Sequence, residues 1–161
     1  MTNNEPSSKV KIRFSDCDPL GHLNNVKYIE YMLNAREDHV VDRYGFTYEE
    51  YSKKTGCTWV TIQHEIAYLK ELKYNMEVII SSKVIAVTDR ISTVELIMKE
   101  EKTGKVNAVL WMSVIHFDLK TRRSAVLLPE YQQLFQDSLY EVEEKSFAER
   151  VSKFRQYNKS K

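Results

Sequence analysis

The sequence has few of the residues that mark specialised classes of protein. Its 161 residues include only 4 glycines, 3 prolines and 2 cysteines. So little glycine and proline excludes collagen-like and low-complexity chains. The two cysteines, Cys17 and Cys57, do not form a C-x-x-C pair and are too few for the disulfide framework of a small secreted domain. We therefore expect two free thiols in a reducing compartment.

The chain also lacks an excess of charge of either sign. Its 24 lysines and arginines nearly balance 23 aspartates and glutamates, which gives a formal net charge of +1. No global field therefore favours nucleic acid or an anionic membrane as a partner. No apolar run approaches the roughly 18 residues needed to span a bilayer, and residues 1–8 lack the features of a secretory signal. We expect a cytoplasmic protein with no nucleic-acid partner and no membrane insertion.

Several catalytic signatures are missing as well. The sequence contains no G-x-S-x-G elbow, no glycine-rich phosphate loop and no dinucleotide-binding fingerprint. The main sequence evidence for a serine hydrolase, a kinase or a dehydrogenase is therefore missing. What the chain does have is a globular composition, with 42% hydrophobic and 29% charged residues, and a length that suits one domain over residues 1–161.

The first half of the sequence changes from a strand pattern to a helix pattern. Apolar and polar residues alternate over residues 9–15, which predicts a half-buried strand. A turn follows over residues 16–21, where Asp, Pro and Gly are turn formers. Helical spacing then begins at Asn24 or Asn25, either of which can cap the helix, and Gly45 is a suitable stop about 20 residues later.

The second half predicts a sheet to cover that helix. Alternating or β-branched patterns occupy residues 58–69, 76–87, 91–100 and 106–114, and short polar links suggest hairpins between them. One strand, a long helix and four further strands indicate an α+β fold, with an antiparallel sheet wrapped around the helix.

The last segment is predicted to be helical. Pro129 suits the first residue of a helix, and Phe147, Val151 and Phe154 continue at helical spacing through a highly charged region. An amphipathic helix of this kind more often packs on its own domain or on a neighbouring subunit than serves as a dedicated partner-binding tail.

Chemistry is concentrated in residues 13–28, at the turn that leads into the helix. The segment places two acids, a thiol, an imidazole and two amides beside a helix start, whose unpaired N–H groups and partial positive charge can stabilise an oxyanion. A carboxylate held there could attack the polarised carbon or activate a water. The residues alone also allow a structural interpretation, with Asp18 as a turn former and Asn24 or Asn25 as a cap.

The turn and the start of the helix contain a specific set of residues, which is followed by residues 29–36 (IEYMLNAR) of the helix. The set comprises Arg13, Asp16, Asp18, Gly21, His22, Asn24, Asn25 and Tyr28. With this pattern the sequence resembles the hotdog-fold acyl-CoA thioesterases of the 4-hydroxybenzoyl-CoA thioesterase family. The resemblance continues through residues 66–72 (IAYLKEL) and 117–122 (FDLKTR), so residues 9 to about 137 follow the family order.

Within the family, residues 22–25 (HLNN) and the FDLKT run look most like the bacterial long-chain acyl-CoA thioesterases. Residues 138–161 remain as a charged helical C-terminal extension.

The resemblance implies a hotdog fold, paired into a homodimer or homotetramer with active sites between subunits. It implies hydrolysis of an acyl-CoA, of medium to long chain in the closer subgroup and hence within fatty acid metabolism. The family's catalytic carboxylate falls on Asp18, which attacks the thioester to give a mixed anhydride or activates water as general base. The amide that polarises the carbonyl falls on Asn25. Some members have His where Asn25 stands, so a role for an imidazole at that position does not carry over.

Further residues are candidates for substrate binding. Gly21, His22 and Tyr28 belong to the matching pattern, and His22 could orient the carboxylate, contact substrate or bond only the backbone. Coenzyme A carries phosphates, and Arg90 in the predicted hairpin is a candidate cation for them, although an ordinary surface charge is an equally simple interpretation. An acyl-carrier-protein thioesterase and a non-catalytic acyl-CoA-binding hotdog protein remain alternative functions.

Two other groupings of reactive side chains offer alternative chemistry. The turn combines aspartates with Cys17 and His22, a mixture of hard and soft donors that matches no standard metal site, so we expect no metal and no other cofactor. Cys17 adjoins two carboxylates that should raise its pKa, which argues against a nucleophilic thiol. His116 and Asp118 share a strand face, where a hydrogen-bonded strand end is the simpler interpretation.

Overall fold

The fold is an antiparallel sheet curled around one long helix, with three shorter helices. A computed structural model describes residues 5–161. A short 3-10 turn, Phe14–Asp16, precedes the long helix. No described helix is long and apolar enough to span a membrane. In chain order the elements are β1 Ser7–Lys11, α1 Asn25–Tyr44, α2 Tyr48–Thr55, β2 Cys57–Tyr68, β3 Glu77–Val87, β4 Ile91–Glu100, β5 Val106–Asp118, β6 Arg123–Ser124, α3 Pro129–Asp137 and α4 Phe147–Lys159.

The strands follow the order β1-β3-β4-β5-β2, and β6 pairs with the end of β5. Every pairing is antiparallel. The short link at Asp89 and Arg90 joins β3 to β4, and the turn around Gly104 joins β4 to β5, as the sequence predicts. The α+β architecture expected from the sequence is therefore confirmed.

Helix α1 supplies the centre of the core. Tyr28, Met32 and Ala35 lie on one helix face and are buried against the concave face of the sheet. This is the spacing of an amphipathic helix that packs on a sheet. The helix ends at Gly45, whose φ of 75° is left-handed and suits glycine. At the other end Asn24 occupies the N-cap position, but its side chain makes no capping hydrogen bond.

Strand β1 and helix α2 differ from the sequence prediction. Strand β1 ends at Lys11 instead of residue 15, because its ladder with β3 stops at the pair of Lys11 and Glu77 and the chain then turns. Helix α2 was not predicted. A capping box explains it: Thr47 accepts from the Glu50 amide, and the Glu50 side chain accepts from the Thr47 amide.

The C-terminal segment is two helices. Helix α3 begins at Pro129 as predicted but ends at Asp137. Helix α4 packs on the convex face of the sheet, where Val151 and Phe154 contact a cluster that includes Ile97 and Val109. Of the interpretations offered by the sequence, docking of the helix on its own domain is confirmed.

A buried ionic cluster fixes α4 to the same convex face. Glu95 of β4 is completely buried, and Arg150 of α4 donates to its two carboxylate oxygens at 2.8 and 2.7 Å. Trp111 also donates to Glu95 at 2.8 Å, and Lys83 lies 3.6 Å from it. The cluster is on the side of the sheet opposite α1.

Candidate active site

The loop that joins β1 to α1, residues 12–24, is anchored to the connection between β2 and β3. The amide of Leu23 donates to the carbonyl of Leu72 at 2.7 Å, and the amide of Tyr74 donates to the carbonyl of Gly21 at 3.1 Å. Gly21 has a φ of 79°, a backbone conformation that glycine adopts readily. These bonds hold the β1–α1 loop against the end of the sheet where α1 begins.

Asp18 in this loop is held through one of its two carboxylate oxygens. Oδ1 accepts from the amide of Leu20 at 2.9 Å and from the amide of His22 at 3.0 Å. Within the described chain, Oδ2 has no hydrogen-bond partner, and the side chain is partly exposed. The carboxylate is therefore fixed in orientation by the main chain and keeps one oxygen available for chemistry.

Asp16, the other acid of the loop, is engaged through both oxygens. Its Oδ2 accepts from the Tyr31 hydroxyl at 2.6 Å, and Lys27 lies 3.7 Å from Oδ1. Burial and the hydrogen bond to Asp16 raise the pKa of Tyr31 to about 12, so the phenol stays a donor. Asp16 is therefore part of the scaffold of the loop, and Asp18 is the acid with a free oxygen.

The start of α1 presents unpaired amides close by in the chain. Lys27 already donates to the carbonyl of Asn24 at 2.8 Å, but the amides of Asn25 and Val26 have no partner among residues 5–161. The hydroxyl of Tyr68 donates to the Asn25 carbonyl at 3.1 Å and ties this turn to β2. Free N–H groups at a helix start can polarise a carbonyl oxygen.

The other predicted residues of the loop have defined surroundings. The His22 ring lies beside Glu71 of the β2–β3 connection, with Nε2 at 3.2 Å from a carboxylate oxygen of Glu71. Tyr28 is buried beneath the helix start, and its ring packs edge-on against Tyr68 with centroids 5.0 Å apart. Burial raises the pKa of the Tyr28 phenol. Contacts of Gly21, His22 and Tyr28 with substrate remain predictions.

The Cys17 thiol is not an activated nucleophile. Its Sγ donates to the carbonyl of Arg13 at 3.4 Å. Burial raises the pKa of Cys17, and the charges of Asp16 and Asp18 raise it further. The sequence predicted the effect of the two carboxylates, and the structure adds burial as the larger cause. The thiol is therefore protonated at neutral pH.

Arg90 does not join this group within one chain. Strand β3 runs from beside the β1–α1 loop to the turn that contains Arg90, and its 11 residues span about 35 Å. Arg90 donates there to the carbonyl and the hydroxyl oxygen of Ser124, at 3.0 and 3.1 Å. The sequence grouped Arg90 with the loop because it cannot show at which end of the sheet a hairpin lies.

A cavity of about 370 Å³ lies at the Arg90 end, between the C-terminal half of α1 and the concave face of the sheet. Its volume lies within the range of small-molecule sites. No residue of the β1–α1 loop lines it. None of the site residues predicted from the sequence lines this cavity, although aromatic residues around the unpredicted helix α2 were a signal. Its aromatic lining comprises Tyr44, Phe46, Tyr48, Trp59 and Phe135.

His116 and Asp118, the other predicted grouping, have structural partners. His116 is buried, with Nε2 at 2.8 Å from the Tyr51 hydroxyl and Nδ1 at 3.1 Å from the Ala125 carbonyl. Asp118 accepts from the amides of Lys120 and Thr121. The predicted hydrogen-bonded strand end is therefore confirmed. Among residues 5–161, no three His, Cys, Asp or Glu side chains are grouped as metal ligands would be.

Comparison with known proteins identifies a family. Residues 12–135 match the model of the thioesterase-like superfamily, which is about three quarters of the chain. No curated protein matches the sequence.

Solved structures of similar fold include three informative ones. A DHNA-CoA thioesterase from Staphylococcus aureus has a TM-score of 0.74 at 18% identity, with 83% of this chain and 89% of that chain covered. A hypothetical protein from Staphylococcus aureus in complex with CoA has a TM-score of 0.76 at 12% identity, with 87% and 89% covered. A 12:0-ACP thioesterase from Umbellularia californica has a TM-score of 0.80 at 15% identity, with 92% and 55% covered. The predicted hotdog fold is confirmed.

Proposed function

Because the chain belongs to the thioesterase-like superfamily and is thereby a thioester hydrolase, we propose that it hydrolyses an acyl-CoA to a free acid and coenzyme A. One observation carries the proposal. Asp18 keeps a free carboxylate oxygen in the loop that leads into α1, whose first two amides, those of Asn25 and Val26, are unpaired in the described chain.

In the proposed reaction the Asn25 amide polarises the thioester carbonyl. Negative charge develops on that oxygen as the carbon becomes tetrahedral, and a fixed N–H at a helix start stabilises it. Asp18 Oδ2 either attacks the carbon, which releases the thiolate and leaves a mixed anhydride for water to hydrolyse, or removes a proton from the attacking water. The two amides on Oδ1 keep Oδ2 oriented in both routes.

We propose that the enzyme works as a homodimer or homotetramer with the site between subunits. β2 is an edge strand, and its Val60 and Ile62 side chains are exposed. An exposed apolar edge is usually covered in natural proteins. Pairing of two β2 edges about a twofold axis is antiparallel, so the Tyr68 end of one strand meets the Cys57 end of the other.

This assembly accounts for the separation of the site residues. It brings the β1–α1 loop of one subunit towards the aromatic cavity and Arg90 of the other. The acyl group then occupies the cavity, Arg90 contacts a coenzyme A phosphate, and Gly21 and His22 border the thioester beside Asp18. Exposed Phe14 and Leu20 of the loop support a covered surface there, because each is more than three quarters exposed in one chain.

We propose a medium- to long-chain acyl group, supported by the size and apolar lining of the cavity. The test is release of free thiol from acyl-CoAs of two to eighteen carbons by the full-length protein. Activity that peaks at eight carbons or more is expected. Activity confined to acetyl-CoA or to aromatic thioesters overturns the chain-length assignment, and binding without thiol release would indicate a non-catalytic acyl-CoA-binding protein.

An acyl-carrier-protein thioesterase is the second candidate, since one protein of similar fold is a 12:0-ACP thioesterase. The same acyl group should be offered on coenzyme A and on acyl carrier protein, and kcat/KM compared. A preference for coenzyme A supports the leading proposal, and a tenfold or greater preference for the carrier protein overturns it.

A further inference from the structure

Arg36 of α1 is a buried cation without a carboxylate partner. The residue is 7% exposed, and Nη1 donates to the Ser82 hydroxyl oxygen at 3.1 Å. Its guanidinium carbon lies 5.9 Å from the centre of the Tyr44 ring. No ion pair among residues 5–161 includes Arg36, and residues 1–4 (MTNN) contain no acidic side chain. Buried arginines are normally paired with an anion. Ser82 uses one of five N–H donors.

The neighbouring groups do not supply the missing negative charge. Glu37 also lines the aromatic cavity, but it forms no ion pair with Arg36, in line with the divergence of adjacent side chains on a helix. His39 contacts the Ser82 hydroxyl through Nδ1 at 2.7 Å. Burial, assisted by the charge of Arg36, lowers the pKa of His39, so this ring is neutral and brings no anion to the site.

A second polar group in the same cavity lacks a partner. Ser92 of β4 is 7% exposed and lines the cavity, and its hydroxyl oxygen makes no hydrogen bond within the part of the chain that the structure describes. Buried hydroxyl groups are nearly always hydrogen-bonded in native proteins. The cavity is therefore lined by an Arg36 guanidinium that has no carboxylate partner and by a Ser92 hydroxyl that has no hydrogen-bond partner in the described chain.

We infer that the cavity binds an acyl group that carries a carboxylate at the end remote from the thioester. The inference rests on the proposed function, since it specifies the substrate class of that reaction. The guanidinium supplies the countercharge, the Ser92 hydroxyl donates a hydrogen bond, and the aromatic walls enclose the methylene chain. A carboxylate fits better than a hydroxyl group, because a planar guanidinium binds it through two N–H donors and a neutral oxygen leaves the charge unbalanced.

The substrates of this class are the mono-coenzyme A thioesters of dicarboxylic acids. The decisive comparison pairs octanoyl-CoA with 7-carboxyheptanoyl-CoA, which have the same number of carbons and differ in the terminal group. We expect the wild-type protein to hydrolyse the carboxylated thioester with a kcat/KM about tenfold or more above that of octanoyl-CoA. Equal values, or a preference for octanoyl-CoA, overturn the inference.

Variants of Arg36 and Ser92 test whether these two residues cause the preference for the carboxylated thioester. Arg36→Met should abolish or reverse it, whereas Arg36→Lys should retain part of it because the charge remains. Ser92→Ala should reduce it and leave the fold intact, because the change removes an unsatisfied buried hydroxyl. If Arg36→Met does not fold, Ser92→Ala and the wild-type ratio decide the outcome. An unchanged ratio in the variants that fold overturns the assignment.

A binding measurement separates failure of this inference from failure of the proposed function. Calorimetric titration of Asp18→Asn with the two thioesters gives their dissociation constants without turnover, and thiol release by the wild-type protein is measured in parallel. Tighter binding of 7-carboxyheptanoyl-CoA with no thiol release from any acyl-CoA would support the inference and overturn the proposed hydrolysis. Thiol release from octanoyl-CoA, with no preference in binding or turnover for the carboxylated thioester, would overturn the inference alone.

Discussion

The backbone amide of His22 donates to Oδ1 of Asp18 at 3.0 Å, while the His22 ring lies 3.2 Å from Glu71. The main chain of His22 therefore orients the Asp18 carboxylate, whereas the His22 imidazole lies beside Glu71 in the connection between β2 and β3. This geometry separates two roles that the sequence could not, since a histidine four residues after an aspartate could contact it through either group. It also makes the contribution of the ring measurable on its own.

Removal of the His22 ring should affect substrate binding more than chemistry. His22→Ala keeps the amide that holds Asp18, so kcat should stay within about threefold of the wild-type value. KM should rise if the ring borders the substrate as proposed. Steady-state thiol release over a range of acyl-CoA concentrations checks this split. A fall in kcat of a hundredfold with unchanged KM would show that the imidazole itself takes part in the chemical step.

Replacement of Asp18 should abolish turnover without loss of the fold. In Asp18→Asn the side-chain carbonyl can still accept from the amides of Leu20 and His22, but it can neither attack a thioester nor remove a proton. We expect kcat to fall at least about a hundredfold, the scale of a lost general base. Thiol release and circular dichroism measure the two effects.

A matched acid elsewhere controls for the loss of one charge. Asp137 is exposed on α3, and within residues 5–161 its carboxylate accepts a hydrogen bond only from Gln133 in the same helix. Asp137→Asn should leave kcat and the melting temperature near the wild-type values. Near-normal turnover in folded Asp18→Asn would remove Asp18 from the mechanism.

The main elements of the fold could be predicted from the sequence because each has a local signal. Helix α1 spans Asn25–Tyr44, between the start predicted at Asn24 or Asn25 and the stop predicted at Gly45, which has the left-handed backbone that suits glycine. Helix α2 also has a local signal, the Thr47 and Glu50 capping box, but its eight residues contain only one buried side chain, that of Tyr51. With so little apolar periodicity, the segment carried no helical pattern.

The candidate site was predictable only in part, for a physical reason. Asp18 and Asn25 belong to one loop and the helix that follows it, so their proximity is set by local chain geometry. Arg90 is separated from Asp18 and Asn25 because strand β3 runs away from the loop and ends at the turn that contains Arg90. In the described chain the Ser92 hydroxyl is buried without a hydrogen-bond partner. That property depends on which strand face meets the helix and on every neighbour of the hydroxyl oxygen. The position of Arg90 and the surroundings of Ser92 arise only when the sheet has formed, so no local sequence pattern indicates them.

The proposed assembly predicts that oligomerisation and activity are lost together. Ile62 lies on the free edge of β2 at the irregularity in its pairing with β5, and it is 51% exposed. Ile62→Arg places a charge in each copy of that edge, which opposes pairing of the two strands. Sedimentation should show a monomer, and kcat/KM should fall at least about tenfold because a single chain separates the loop from the cavity.

Val126 offers a matched control, since it is an exposed apolar residue away from the β2 edge. Val126→Arg should remain oligomeric and active. A monomeric Ile62→Arg protein with full activity would place the whole site within one subunit and contradict the proposed assembly.

The pair of Lys70 and Glu100 should contribute to the pH dependence of stability. Lys70 Nζ lies 2.7 Å from Glu100 Oε2, and this hydrogen bond lowers the pKa of Glu100 in the folded state. The unfolded state then binds more protons near its own pKa, so the stabilisation is present above about pH 4.3 and is lost as pH falls through the folded value. Lys70→Met should lower the free energy of unfolding by about 1 kcal/mol at pH 7, since the lysine is partly exposed.

Urea unfolding of the wild type and Lys70→Met at several values from pH 3 to pH 7 checks this sign. The two curves should converge as the pH falls. Lys53→Met removes a fully exposed helical pair with Glu49 and should have little effect at any pH. A difference between wild type and Lys70→Met that grows at acidic pH would contradict the assignment.

The buried ion pair between Glu95 and Arg150 makes the C-terminal helix part of the folding unit. Arg150→Met leaves Glu95 completely buried with only Lys83 as a nearby cation, at 3.6 Å, and should cost about 3 kcal/mol of unfolding free energy. Removing both charges in Glu95→Leu with Arg150→Met should cost less than the single change, because no unpaired carboxylate remains. Urea unfolding of the two single variants and the double variant gives the coupling energy.

Lys153 on the same helix provides a comparison, since it is half exposed and pairs with the exposed Glu143 and with the mostly buried Glu144. Lys153→Met should therefore cost less than Arg150→Met. The ion pair lies on the convex face, whereas the cavity and the β1–α1 loop lie towards α1. Turnover of Arg150→Met measured well below its melting temperature should therefore match the wild type. Additive costs in the three variants would show that Glu95 and Arg150 are not coupled. A loss of turnover in the folded Arg150→Met protein would instead connect α4 to the active site.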